Sequence, residues 1–259
     1  MDLTLETGFF WGLAAVLGAC FGSFSNVLIH RLPRNQSVVR PRSACPACGR
    51  QLAWHENVPV LSWLCLRGRC RGCGAPIARR YLLVELAGVA CALVGVWRFG
   101  FTPAGLSASL LLLLLLDIAL IDWEHMIIPH TLTIAGAVIG VGASFLDGRG
   151  PAAALLGMAV GAGIILAVSW GYRLVRGVVG MGGGDVMLMG MVGACLGAWG
   201  VAGTVFGGAL LGTAYVLVAG RGRVNGAAKL PFGTFLAAAA AIVLLAGPAL
   251  ARWYLGLGR

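Results

Sequence analysis

Two carboxylates and four thiols carry the chemistry legible in this chain. Asp122 closes the apolar run that begins with seven leucines, Leu110–Leu116, and Asp185 follows three glycines in Gly180-Met-Gly-Gly-Gly-Asp185. A carboxylate at the edge of a membrane-length apolar run is costly, so it reads as functional by default. Two carboxylates brought within a few ångströms cannot both ionise easily, and one keeps a proton. The ionised member can then take a proton from water while the protonated one polarises a carbonyl. That is aspartic proteolysis without a covalent intermediate, and its titration belongs to the pair. The bland alternative for Asp185 is an N-capping aspartate after a flexible glycine loop.

The thiols stand in two knuckles, Cys45-Pro-Ala-Cys48 and Cys70-Arg-Gly-Cys73, with 21 residues between them. Paired CxxC turns at this separation are the signature of a four-thiolate structural zinc site. The loop that holds them is poor in large aliphatic residues, and a bound metal would supply folding energy that its own core lacks. Two disulfides are the alternative, disfavoured in a reducing compartment. Four cysteines close a zinc shell, so a catalytic zinc is not expected. Cys20, Cys65, Cys91 and Cys195 have no ligand spacing, and those in apolar runs read as small buried hydrophobes.

These groups have to be positioned by membrane helices. The 259 residues are 59% hydrophobic and only 11% charged, against about 25% charged in soluble domains. The apolar residues come in blocks near the roughly 20 residues that a spanning helix needs. A β-barrel would alternate in short segments, and seven consecutive leucines exclude that reading. The first apolar run follows Asp2 and Glu6 rather than a basic region, so it reads as a span and not as a cleavable leader.

Eight spans are expected: Gly8–Ile29, Leu82–Trp97, Ala104–Ile121, Ile127–Leu146, Pro151–Trp170, two within the charge-free stretch Val186–Gly220, and Phe232–Leu250. That stretch is too long for one crossing, and Gly197-Ala-Trp-Gly200 is the expected break. The fold class is therefore an all-α polytopic membrane protein. It divides into a first helix (1–29), a zinc-binding segment (30–80) and a membrane core (81–259).

The segments 30–80, 171–185 and 220–231 hold ten, two and three of the nineteen basic residues. With eight spans they share one side, which the positive-inside bias makes cytoplasmic. The net charge of +10 then marks membrane topology and not nucleic-acid binding. Two crossings separate Asp122 from Asp185, so both are expected on that same side at similar depth. Asp117 lies on another helical face and reads as an interhelical polar contact. Glu124, His125 and His130 are expected at the interface, with His130 facing water. Glu85 is expected to stabilise the start of its helix rather than to act in catalysis.

The order of motifs resembles that of bacterial type IV prepilin peptidases, the GxGD membrane aspartic proteases. The matching residues are Gly22-Ser-Phe-Ser-Asn-Val-Leu-Ile-His-Arg-Leu-Pro33, the two CxxC knuckles, Asn57-Val-Pro-Val-Leu-Ser-Trp63, Leu66-Arg-Gly-Arg-Cys70, Asp122 with Ile128-Pro129, and Gly182-Gly-Gly-Asp185. The resemblance implies removal of the basic leader of type IV prepilins and type II secretion pseudopilins on the cytoplasmic side of the inner membrane. It also implies N-methylation of the exposed residue with S-adenosylmethionine. Asp122 and Asp185 match the two catalytic positions. His130 and Leu82 depart from the family pattern, and neither belongs to the pair. No glycine-rich methyltransferase fingerprint is present, so the methylation reading rests on the resemblance alone.

Two rival readings remain. A carboxylate-dependent ion or proton transporter with a structural zinc module would place polar groups deep in several spans. A membrane-anchored zinc module that only binds partners would leave the GGGD segment without a purpose.

Overall fold

The computed structural model describes the backbone of residues 3–178, 180–219 and 230–256. Among these residues every extended element is helical apart from two isolated β-bridges. The helices are α1 (Leu3–Arg31), α2 (Leu61–Cys65), α3 (Arg79–Phe99), α4 (Pro103–His125), α5 (His130–Ser144), α6 (Pro151–Arg176), α7 (Gly183–Ala219) and α8 (Phe232–Gly256). Five of them are long and apolar enough to cross a membrane, and α5 and the first part of α8 are shorter apolar helices.

The long α7 is interrupted. Gly197 has φ 71° and ψ −178°, which no helix accommodates. The expected break in the charge-free stretch therefore falls on its first glycine, and α7 becomes two helices. With this break the apolar helices number eight among the described residues.

Two boundaries differ from expectation. The fourth span is 15 residues and not 20, because Met126 adopts φ 54° and Pro129 is extended at φ −67°, ψ 124° before the helix begins. At 1.5 Å per residue α5 is roughly 22 Å long, shorter than a hydrocarbon core. The fifth helix continues past Trp170 to Arg176, where Gly177 caps it in the left-handed region at φ 73°. The basic loop holding Arg221, Arg223 and Lys229 lies outside the described residues, as does Arg259.

The chain forms two compact units, Met1–Leu113 and Leu114–Arg259. In the first, α1 and α3 approach through glycines. A Cβ on Gly18 would stand 2.7 Å from that of Ala92, and one on Gly88 2.7 Å from the Gly22 Cα. Such small-residue contacts let membrane helices pack backbone to backbone. Asn26 Nδ2 donates to the Tyr81 carbonyl at 3.1 Å across the same pair. Cys20 is exposed on α1 and Cys65 on α2, and Cys91 and Cys195 are only partly covered. The three in apolar runs, Cys20, Cys91 and Cys195, are thus not the buried hydrophobes expected.

In the second unit the first half of α7 is the central helix. Leu188, Met189, Met191, Val192 and Ala194 are all essentially inaccessible. Glycines again permit the approach. Gly157 and Gly193 meet backbone to backbone, Gly161 lies on the Met189 carbonyl, and Gly140 faces Cys195. The helix that carries Asp185 is thus the most firmly held element of its unit.

Candidate active site and metal centre

Asp122 lies in the last turn of α4, buried. After His125 the chain leaves the helix through Met126 and returns as α5 at His130, so Ile127-Ile128-Pro129 cross the helix end as an extended strap. Ile128 is 8% exposed. Gly184 and Gly233 both lie against it: a Cβ would stand 2.9 Å from the Ile128 Cβ on Gly184, and 2.6 Å from its Cδ1 on Gly233. One side chain therefore joins the start of α7, the end of α4 and the start of α8.

Asp185 is the third residue of α7 and half-buried. Its Oδ2 accepts the Gly182 N–H at 3.1 Å, while the Asp185 N–H donates to the Gly182 carbonyl at 3.2 Å. This is the acidic half of a capping box, with the glycine carbonyl in place of a capping side chain. Asp185 is thus not the N-cap residue of the bland alternative: it lies inside the first turn and reaches back to the Gly182 N–H. The glycines before it do not need positive φ; only Gly184 meets a close neighbour.

Asp122 and Asp185 share Ile128 as a neighbour: Gly184, beside Asp185, lies against it, as does Gly233, on which a Cβ would stand 3.0 Å from Asp122 Oδ2. On Asp122, Oδ2 accepts the Thr234 N–H at 2.8 Å and lies 3.2 Å from the Thr234 hydroxyl. The Gly233 N–H is directed at the same carboxylate. Gly233 and Thr234 are absent from the sequence-level site. The signal that could have found them is Pro231-Phe-Gly233 before an apolar run, a helix start on the side expected for the aspartates.

The other end of this unit is held by a different contact. Arg149 Nη1, in the α5–α6 loop, donates to the Cys195 carbonyl at 2.7 Å, beside the Gly197 break. Two turns thus meet at one end, and Asp122, Ile128, Gly184 and Thr234 gather at the other. Trp123, Tyr215 and Phe235 stack there as well, with ring centroids 5.6 and 5.4 Å apart. Asp117 is buried one turn deeper in α4. His130 is exposed, as expected, and Glu124 and His125 pair at 3.9 Å at the helix end.

In the first unit the two cysteine knuckles repeat one another. The bridge Ala44–Gln51 encloses Cys45 and Cys48; the bridge Arg69–Pro76 encloses Cys70 and Cys73. In each, the first cysteine N–H donates to the carbonyl five residues on at 2.9 Å, and the glycine after the second cysteine donates back to the first at 2.9 Å. Those glycines, Gly49 and Gly74, take φ 70° and 71°, as the turn requires. The four sulfurs lie within 4.8 Å of one another, and all four cysteines are free thiols.

A four-thiolate cluster of this kind can hold a metal ion, and it fits zinc. Zn–S bonds of about 2.3 Å in a tetrahedron put sulfurs about 3.8 Å apart; Cys45 and Cys73 are at 3.9 Å. The backbone N–H groups of Cys73 and Gly72 hold the Cys70 thiol down to about 6. Arg50 crosses from the first knuckle to the second, lying on Gly72 and pairing with Glu56 at 2.6 Å. Glu56 also accepts the Ala53 N–H at 2.8 Å, and Glu85 of α3 accepts the Val60 N–H at 2.7 Å.

Eight apolar helices, with a buried Asp122 in the last turn of α4 and a half-buried Asp185 in the first turn of α7, define a polytopic membrane protein with acidic residues at its helix ends. Comparison with known proteins narrows this. Residues 16–99 match the bacterial peptidase A24 N-terminal domain, and residues 109–217 match the type IV leader peptidase family. A prepilin leader peptidase/N-methyltransferase of Burkholderia pseudomallei is 38% identical over 98% of this chain and 90% of its own length. One from Pseudomonas aeruginosa is 35% identical over 93% and 91%. One from Myxococcus xanthus is 45% identical over 73% of this chain, a match spanning 58% of that relative. No solved structure matches. The chain belongs to the type IV leader peptidase family, and it is a multi-pass protein of the bacterial inner membrane.

Proposed function

We propose that this protein is a membrane aspartic endopeptidase that removes the basic leader of type IV prepilins and type II secretion pseudopilins at the cytoplasmic face. The observation that carries the reading is the convergence of Asp122 and Asp185 at one end of one compact unit. Water loses a proton to the ionised carboxylate as its oxygen bonds to the scissile carbonyl carbon, and the protonated carboxyl gives its proton to the carbonyl oxygen. Collapse of the tetrahedral species breaks the C–N bond, with a proton passing to the leaving amine.

Family membership supports a second activity, N-methylation of the exposed terminus with S-adenosylmethionine as donor, and the relatives' shared name supports it too. No donor-binding motif in this chain adds to that support. Cys45, Cys48, Cys70 and Cys73 would hold one structural zinc, which fastens segment 30–80 and takes no part in either reaction. A transporter reading finds less support, since the paired acids gather at one helix end and do not run along a path.

The test is incubation of the purified protein with a prepilin and labelled S-adenosylmethionine, followed by mass measurement of the product. Leader loss plus one methyl group is expected. Asp122→Asn and Asp185→Asn should each abolish leader loss while the protein remains inserted and folded. Full cleavage by either variant would remove that residue from the pair.

A further inference from the structure

The two carboxylates are the same residue type in unequal surroundings. Among the described residues, Asp185 Oδ2 accepts one backbone N–H, from Gly182 at 3.1 Å. Asp122 Oδ2 accepts the Thr234 N–H at 2.8 Å, with the Thr234 hydroxyl at 3.2 Å and the Gly233 N–H directed at the same group. That hydroxyl is also 3.0 Å from the Ala119 carbonyl, so its single proton is shared between two acceptors. The backbone donors are the firmer contacts.

Gly233 and Thr234 are the second and third residues of α8. Their N–H groups precede the helix's own hydrogen-bond ladder and are available to an anion, and the helix start carries partial positive charge. The approach requires glycine. A Cβ on residue 233 would stand 3.0 Å from Asp122 Oδ2 and 2.6 Å from Ile128 Cδ1. Thr234 reaches Asp122 from 112 residues away in sequence, with the hydroxyl also fixing the preceding turn of α4.

We propose that Gly233 and Thr234 are positioning residues of the peptidase site: the first turn of α8 orients Asp122 and stabilises its carboxylate form, leaving the shared proton on Asp185. Asp122 is then the base toward water and Asp185 the acid toward the scissile carbonyl. This inference rests on the peptidase reading above.

The experiment is steady-state cleavage of a leader-bearing prepilin by the full-length protein in detergent, with kcat and KM separated. Cleavage by the unaltered protein is the control: its absence refutes the peptidase reading itself. Given that activity, Thr234→Val should lower kcat by about 3- to 10-fold at unchanged KM, the scale of losing one hydroxyl donor, and Thr234→Ser should restore it. Gly233→Ala should lower kcat by about 100-fold, the scale of a catalytic group displaced by a fraction of an ångström. Ile128→Val removes the Cδ1 atom that the new methyl would strike and leaves the approach to Asp122 unchanged. The Gly233→Ala/Ile128→Val double variant should therefore regain thermal stability and stay slow. Wild-type kcat in Thr234→Val, or full recovery of kcat in the double variant, would overturn the proposal.

Discussion

Gly184 gives Ile128 the space that it occupies: a Cβ on the glycine would stand 2.9 Å from the isoleucine Cβ. The contact sets how near the first turn of α7, with Asp185, comes to the strap that follows Asp122. Gly184→Ala would force that turn away or distort the strap, and overpacking of this kind costs about 1–3 kcal/mol. Leader cleavage should fall at least about 10-fold, while metal content stays unchanged because the cysteines lie in the other unit. Unimpaired cleavage by Gly184→Ala would show that the spacing of α7 from the strap is not critical.

Glu85 does not act where it was expected to. The sequence position predicts a stabiliser of its own helix start, but its Oε2 accepts the Val60 N–H at 2.7 Å. Val60 has φ 63°, a region that β-branched residues avoid, so the turn into α2 is strained and Glu85 holds it. Glu85→Ala would leave that N–H unpaired at a cost of about 1–3 kcal/mol, whereas Glu85→Gln retains an acceptor. Limited proteolysis should cut within segment 57–68 faster in Glu85→Ala than in Glu85→Gln. Equal rates would mean that the carboxylate carries no share of the turn.

The sequence made local and periodic features legible. Apolar blocks gave the helices, the glycine-tryptophan stretch gave the break at Gly197, and the two knuckles gave the thiol cluster. Counting crossings puts Asp122 and Asp185 at the same end of the helices without any distance, because parity survives errors of several residues at each boundary. Contacts between remote segments were not legible. Nothing near Asp122 announces Thr234, since the hydrogen bond is set by how α8 docks on α4. The shortness of α5 is hidden in the sequence because Ile127 and Ile128 are apolar, whereas Pro129 restricts its predecessor and delays the start. The exposure of Cys20 is not legible because hydropathy does not separate a lipid-facing position from a packed one.

The thiol cluster has its own test. The purified protein should carry one zinc per chain, and Cys48→Ser or Cys73→Ser should lower that content and raise the protease sensitivity of segment 43–76. Thiolates are the ligands, so metal is lost on acidification. The Cys70 thiol, held down to about 6 by the N–H groups of Cys73 and Gly72, should be the first to alkylate in the metal-stripped protein near neutral pH. Retention of full metal content by either serine variant would refute the four-thiolate site.

Arg149 joins two turns at the end of the second unit opposite the aspartates. It donates to the Cys195 carbonyl at 2.7 Å and pairs with Asp147 at 2.7 Å. The carbonyl lies two residues before the Gly197 break. Burial works to raise the Asp147 carboxyl, but the two hydrogen bonds from Arg149 outweigh it and hold the group below its ordinary range. A carboxyl depressed in the folded state stabilises fully above its unfolded value, near pH 4, and that contribution is lost as pH falls through the folded value. Asp147→Asn should therefore lower thermal stability slightly at pH 7, by about 1 kcal/mol or less for a part-exposed pair. The difference from wild type should close as pH drops below about 4. Arg149→Ala should cost more, since it also strips the Cys195 carbonyl, and most of its deficit should persist in acid. Thermal unfolding of the three proteins between pH 7 and pH 3 checks both signs. A deficit in Asp147→Asn that stays constant across this range would mean that the charge of Asp147 contributes nothing to the fold.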